Sequence, residues 1–169
     1  LTQRQLDQFE TEGYLVVEGL LDRELDIQPV VDEYTALLDE LAQRWYAEGT
    51  LADPYSDLPF GERLTRIIQE SGQMYYQHMD ISLPQAGVTH DTPMHLGPAV
   101  FNLLRSPRLL DAVTDFVGPE IYCNPVQHVR IKPPERALPA SMARNPLTVV
   151  TPWHQDLGVI DEEADDSYI

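Results

Sequence analysis

Gly118-Pro119 divides the chain into two kinds of sequence. On its N-terminal side apolar residues recur three and four positions apart, the spacing that makes one face of an α-helix. On its C-terminal side short β-branched runs alternate with prolines, the pattern of strands and loops. A chain patterned this way is expected to fold as α+β, with helices and strands segregated along the sequence.

Within the helical part, Thr2-Gln3-Arg4-Gln5 reads as a capping box, in which the Thr2 hydroxyl and the Gln5 side chain satisfy opening backbone N–H groups. Leu6 and Phe9 follow one turn apart, and Gly13 is a natural stop. Tyr14-Leu15-Val16-Val17 predicts an early strand. Asp22 can cap a long helix running to Glu48, with Pro29 near a start or a break because proline cannot donate an interior hydrogen bond. Val30, Tyr34, Leu37, Leu38, Leu41 and Trp45 make its apolar stripe, read as core. Asp53 to Pro59 is turn-rich, and a third helix is predicted from about Gly61 to Glu70, with Leu64, Ile67 and Ile68 inward. Thr92-Pro93 and Ser106-Pro107 each set a capping hydroxyl before a proline, predicting two more helices. The second carries Leu109, Leu110, Val113, Phe116 and Val117 and ends at Gly118.

Beyond Glu120, Ile121-Tyr122-Cys123 and Val126 to Lys132 read as strand, closed by Pro133-Pro134. A loop follows to about Pro146, then a strand from Leu147 to Ile160, an acidic loop, and the opening of another strand at Tyr168-Ile169. A jelly roll needs about eight strands. At about 5–6 residues each, this segment offers only three or four. A barrel of that kind would be incomplete in this chain.

Charge narrows the partners. Eleven Lys and Arg against 28 Asp and Glu leave a formal charge of −17, which repels nucleic acid and anionic membranes. Much of the acid lies in Asp32 to Glu48 and in Asp161 to Asp166, read as a solvated helix face and an exposed loop. No run approaches the roughly 20 apolar residues that cross a bilayer, and the first residues hold no apolar signal core. Cys123 stands alone, so no internal disulfide forms and a reducing compartment fits. A soluble, cytoplasmic protein is expected.

Chemistry concentrates in Thr151-Pro152-Trp153-His154-Gln155-Asp156-Leu157. On a strand, positions i and i+2 share a face, so His154 and Asp156 would project together as two members of a 2-His-1-carboxylate iron site. A second His-x-Asp occurs at His78-Met79-Asp80, but only the copy at 154 follows a β-favourable run, Thr148 to Thr151. His78 is therefore read as a surface or helix-end histidine, and His90 and His95 as members of a polar helix-entry loop. In the strand 126–132, His128, Arg130 and Lys132 alternate onto one face. That face either binds a co-substrate carboxylate or meets solvent. Serine-nucleophile elbows, Cys-His pairs, phosphate loops and the His-Glu-x-x-His of zinc hydrolases are absent from the sequence.

Ile131-Lys132-Pro133-Pro134, a short Arg-containing loop, and Pro152-Trp153-His154-Gln155-Asp156-Leu157 together resemble the phytanoyl-CoA dioxygenase family, as does the opening Phe9 to Leu21. The resemblance spans most of the chain, although residues 50 to 105 carry nothing diagnostic. It implies a non-haem Fe(II), 2-oxoglutarate-dependent dioxygenase that hydroxylates a small-molecule substrate with dioxygen. It also implies a double-stranded β-helix, a cupin-like jelly roll with helices packed on the sheet. On this reading residues 1–169 are the N-terminal portion of one oxygenase domain, helical over 1–119 and β over 120–169. His154 and Asp156 correspond to two metal ligands. The family's distal histidine and its 2-oxoglutarate-binding arginine have no counterpart in these 169 residues. The competing reading is a non-catalytic binding module with an incomplete metal site. An incomplete sheet would also leave strand edges unpaired, so self-association is expected.

Overall fold

The computed structural model describes residues 1–84, 86–123 and 127–142. Helix α1 (Gln3–Glu12) starts as its capping box requires: the Thr2 hydroxyl accepts from the Gln5 N–H, and the Gln5 side chain accepts from the Thr2 N–H at 2.9 Å. Gly13 ends it at φ 76°, a left-handed conformation open to glycine at little cost. The Asp22 carboxylate next accepts from the Glu24 and Leu25 N–H groups, both at 2.9 Å. The turn it opens, Arg23–Ile27, is π-helical. The long helix α2 (Gln28–Ala47) then begins with Pro29 in its first turn, where a missing N–H costs nothing.

Helix α3 (Phe60–Ser71) lies against α2. The expected stripe is the core: Tyr34, Leu38, Leu41 and Trp45 of α2 are buried with Leu64, Ile67 and Ile68 of α3, joined by Leu51, Met79, Val100 and Met142. Each fully buried Leu or Ile contributes roughly 1.5–3 kcal/mol. Arg63 pins the two helices to the intervening loop. It is buried, donates from Nε to the Pro54 carbonyl at 2.8 Å, and pairs with Asp39 at 2.8 Å. A short helix α4 (Tyr76–Met79), then α5 (Pro98–Leu104) and α6 (Pro107–Val117), complete the α-helices among the described residues, and one 3-10 turn follows at Glu135–Ala137. Helix α6 meets α1 through Phe9 and Phe116, whose ring centroids are 4.7 Å apart.

Ser106-Pro107 opens α6 as expected, although without a side-chain cap. Thr92-Pro93 opens nothing. The Thr92 hydroxyl accepts from the Thr89 N–H at 2.8 Å, and the helix starts five residues later at Pro98. Gly97 makes that start possible. It sits at φ 58°, and a Cβ there would lie 2.6 Å from the Ile81 Cγ2 methyl.

The expected α+β fold is overturned. The described residues are helical with connecting loops and contain no β-strand, so neither a jelly roll nor a double-stranded β-helix is present among them. Tyr14 to Val17 keeps its alternation, with Tyr14 and Val16 exposed and Leu15 and Val17 half-buried. Residues 129 to 132 alternate likewise: Val129 and Ile131 pack on the core while Arg130 and Lys132 are exposed. Alternation supplies two faces but not a neighbour for the backbone N–H and C=O groups, and pairing is what makes a strand. The strand edges expected to drive self-association are likewise not formed among the described residues. The run from Leu147 to Ile160 lies outside them, as does the acidic loop. Among the described residues no helix is long and apolar enough to cross a membrane.

Candidate functional site

The first turns of α2 carry two residues with long-range polar contacts. Glu33 and Tyr34, adjacent on the helix, each reach a different segment. The Glu33 carboxylate takes the Ala99 N–H at 2.7 Å through Oε2 and meets His95 Nε2 at 3.0 Å through Oε1. Ala99 is in the first turn of α5, so Glu33, 66 residues away, provides the cap that no local side chain supplies. The Tyr34 hydroxyl donates to the Met79 carbonyl at 2.9 Å, and its ring stands edge-on to His95 with centroids 5.4 Å apart.

Asp80 is the centre of this region. It is only 1% exposed. Its Oδ2 lies 2.7 Å from His128 Nδ1, its Oδ1 accepts the Val129 N–H at 2.9 Å, and its backbone carbonyl accepts the His95 N–H at 2.8 Å. One residue thus ties α4, the 95–99 turn and the 127–132 segment together. A carboxylate this deeply buried is tolerated only when its oxygens are matched to donors, and here both are. Burial, assisted by the nearby Glu33 and Asp80 charges, pushes the Tyr34 phenol far above its ordinary range. Tyr34 therefore remains a donor throughout the working range of pH.

The two polar residues of His78-Met79-Asp80 serve separate regions. Asp80 turns toward His128, while His78 stands edge-on to Trp45 at a centroid distance of 5.6 Å. Trp45 in turn stacks on Tyr75 at 3.8 Å. Burial holds the His78 imidazole below its ordinary value, Arg44 adds a smaller push the same way, and Glu48 opposes both. His78 does end a helix, as expected, but it is half-buried rather than superficial. His95 lies in the loop that enters α5, as expected, and is mostly buried against Glu33, whereas His90 is open to solvent beside Asp91.

Of the three residues expected to bind the co-substrate, His128 is engaged by Asp80, and Arg130 and Lys132 are exposed on the same segment. Pro133 beyond them is buried, and Gln69 of α3 donates to the Ala137 carbonyl at 2.6 Å, so the segment is laid against the helices. His154 and Asp156 lie outside the described residues. Among the described residues no group of three or more His, Cys, Asp or Glu is arranged to hold a metal ion, so the expected metal-binding site is not found there. Comparison with family models, curated proteins and solved structures gave no match.

Asp80 and Glu33 are the functional candidates that sequence reasoning passed over. Their partners are 48 and 62 residues away, beyond the reach of any local pattern. A signal for Asp80 was nonetheless present: it follows the core residue Met79 in an apolar-flanked segment, where an acid must be either paired or costly.

Proposed function

We propose that this chain is part of a non-haem Fe(II), 2-oxoglutarate-dependent oxygenase that hydroxylates a small molecule, with His154 and Asp156 as two of the metal's ligands. The observation that carries the reading is the His-x-Asp pair inside Pro152 to Leu157, together with Ile131-Lys132-Pro133-Pro134 upstream. It is a reading of ligand chemistry and does not include the jelly roll.

The donor set fits the metal. An imidazole nitrogen and a carboxylate oxygen suit ferrous iron, and a third ligand would leave positions for a chelating 2-oxo acid and dioxygen. Bound iron and 2-oxoglutarate would supply oxidative decarboxylation to succinate and carbon dioxide, coupled to hydroxylation of a C–H bond. The chain's own residues hold and orient. Packing of Val129 and Ile131 on the core leaves Arg130 and Lys132 outward, as exposed cations suited to a co-substrate carboxylate. Lys132 is the only lysine in the sequence, and no acid occurs between Glu120 and Glu135, in a chain of charge −17. This segment is therefore one of the anion-tolerant stretches of an otherwise repelling molecule.

Anaerobic Fe(II) titration and 2-oxoglutarate turnover of the complete protein, with and without His154→Ala, test the proposal. The variant should lose most of its iron affinity and all turnover. Equal iron binding and equal turnover in the two proteins would sink the assignment, whereas neither iron binding nor turnover in the native protein would favour a non-catalytic module.

A further inference from the structure

The Asp80–His128 pair has a geometry that the oxygenase reading does not use. The Asp80 carboxylate is 2% exposed, is 2.7 Å from Nδ1, and also holds the backbone N–H of the next residue, Val129. An ionised carboxylate can only accept, so the ring nitrogen facing it carries a proton. In the neutral imidazole the lone pair then belongs to Nε2. The His128 side chain is 23% exposed while its partner is sealed, and Nε2 is the ring nitrogen that Asp80 does not engage.

We propose that Asp80 and His128 form an acid–base dyad in which His128 Nε2 takes the proton of a hydroxyl on a bound small molecule, with Asp80 as the positioning residue. The O–H bond breaks, an Nε2–H bond forms, and the electron pair stays on the ligand oxygen. The resulting imidazolium is balanced by the buried Asp80 carboxylate, as in other carboxylate-held histidines. The ligand oxygen becomes an anion beside a segment whose next charged residues are Arg130 and Lys132, both exposed. Those cations disfavour an ammonium ligand and favour a hydroxyl one. Glu33 and His95 pair with each other and are not needed for the step. The dyad does not depend on iron, on His154 or on Asp156.

Asp80→Asn is the discriminating variant. The Val129 N–H still requires an acceptor, so the new amide oxygen stays with it and the amide NH2 turns toward His128 Nδ1. That nitrogen must then accept, and the proton moves to Nε2, which loses its lone pair. The variant keeps both hydrogen bonds and reverses the tautomer.

Diethylpyrocarbonate, which acylates an unprotonated imidazole nitrogen, reads this directly when the modified histidines are mapped by mass spectrometry. His128 should react in the native chain and at least tenfold more slowly in D80N. His90, with a side chain 91% exposed, should react equally in both and serves as the internal reference. An unreactive His128 in the native chain, or the same rate in D80N, would overturn the dyad. If D80N does not fold, nitrogen-15 NMR of histidine-labelled native chain decides. The neutral ring of His128 should carry its proton on Nδ1, and a proton on Nε2 would refute the proposal. Neither readout involves iron or 2-oxoglutarate, so failure here leaves the oxygenase reading standing, and failure there leaves the dyad standing.

Discussion

Between α2 and α3, Leu38, Leu41, Leu64, Ile67 and Ile68 exclude water and carry no polar side-chain atoms that need a partner. Nearer the start of α2, Glu33, Tyr34, Asp80, His95 and His128 are joined by named hydrogen bonds, and nearly every contact crosses a long stretch of sequence. The apolar contact is non-directional and tolerates small shifts, losing stability in proportion to the volume removed. The polar cluster is directional and has no intermediate state, because a donor left without its acceptor pays the full desolvation cost. The first region gives the helical body its stability. The second decides which loops lie where.

The largest loss should follow Asp80→Ala, which leaves the Val129 N–H and His128 Nδ1 facing a space without an acceptor. Breaking a buried pair from one side costs about 3–5 kcal/mol, readable as a shifted urea midpoint. Ile67→Ala, at a fully buried position in the apolar region, should cost about 2–5 kcal/mol. The two should differ in kind. Loss at Ile67 should loosen α2 and α3 together, whereas loss at Asp80 should release the 127–132 segment before the helices. Simultaneous release in both variants would erase the distinction between the regions.

Gly97→Ala should cost about 1–3 kcal/mol, because a methyl would clash with Ile81 in a backbone conformation that strains an L-residue. A variant as stable as the native chain would show that the 95–99 turn can move without disturbing Glu33 and His95. The smallest effect concerns pH. The folded state holds His78 below its ordinary value, so on acidification the unfolded chain takes up that proton first. Stability should therefore fall as pH drops below the ordinary imidazole range, and His78→Gln should flatten that dependence in urea titrations. An unchanged slope in the variant would assign the acid sensitivity to other groups.

The division between the two regions explains what could be read from the sequence. The stripe from Val30 to Trp45, the capping box at Thr2, the Asp22 cap and the Ser106-Pro107 start are all local signals, fixed by residues within a turn or two of one another. Thr92-Pro93 misled because the nearby Thr89 captured its hydroxyl, while the cap for the real helix came from Glu33. Strand patterning at Tyr14 to Val17 and around Val129 was visible as alternation, yet alternation cannot name a partner strand. At Asp80 the His-x-Asp spacing points to a comparison with His154 and Asp156, whereas its partner is His128, 48 residues along the chain.

The role of Asp80 as the tie between the helices and the 127–132 segment is tested most directly at one amide. Val129 has no strand neighbour among the described residues, and its N–H is held by the Asp80 carboxylate at 2.9 Å. Amide hydrogen exchange should show Val129 protected in the native chain and unprotected in Asp80→Ala, with Leu38 and Ile67 protected in both. A Val129 amide that exchanges freely in the native chain, or that stays protected without the carboxylate, would contradict this account.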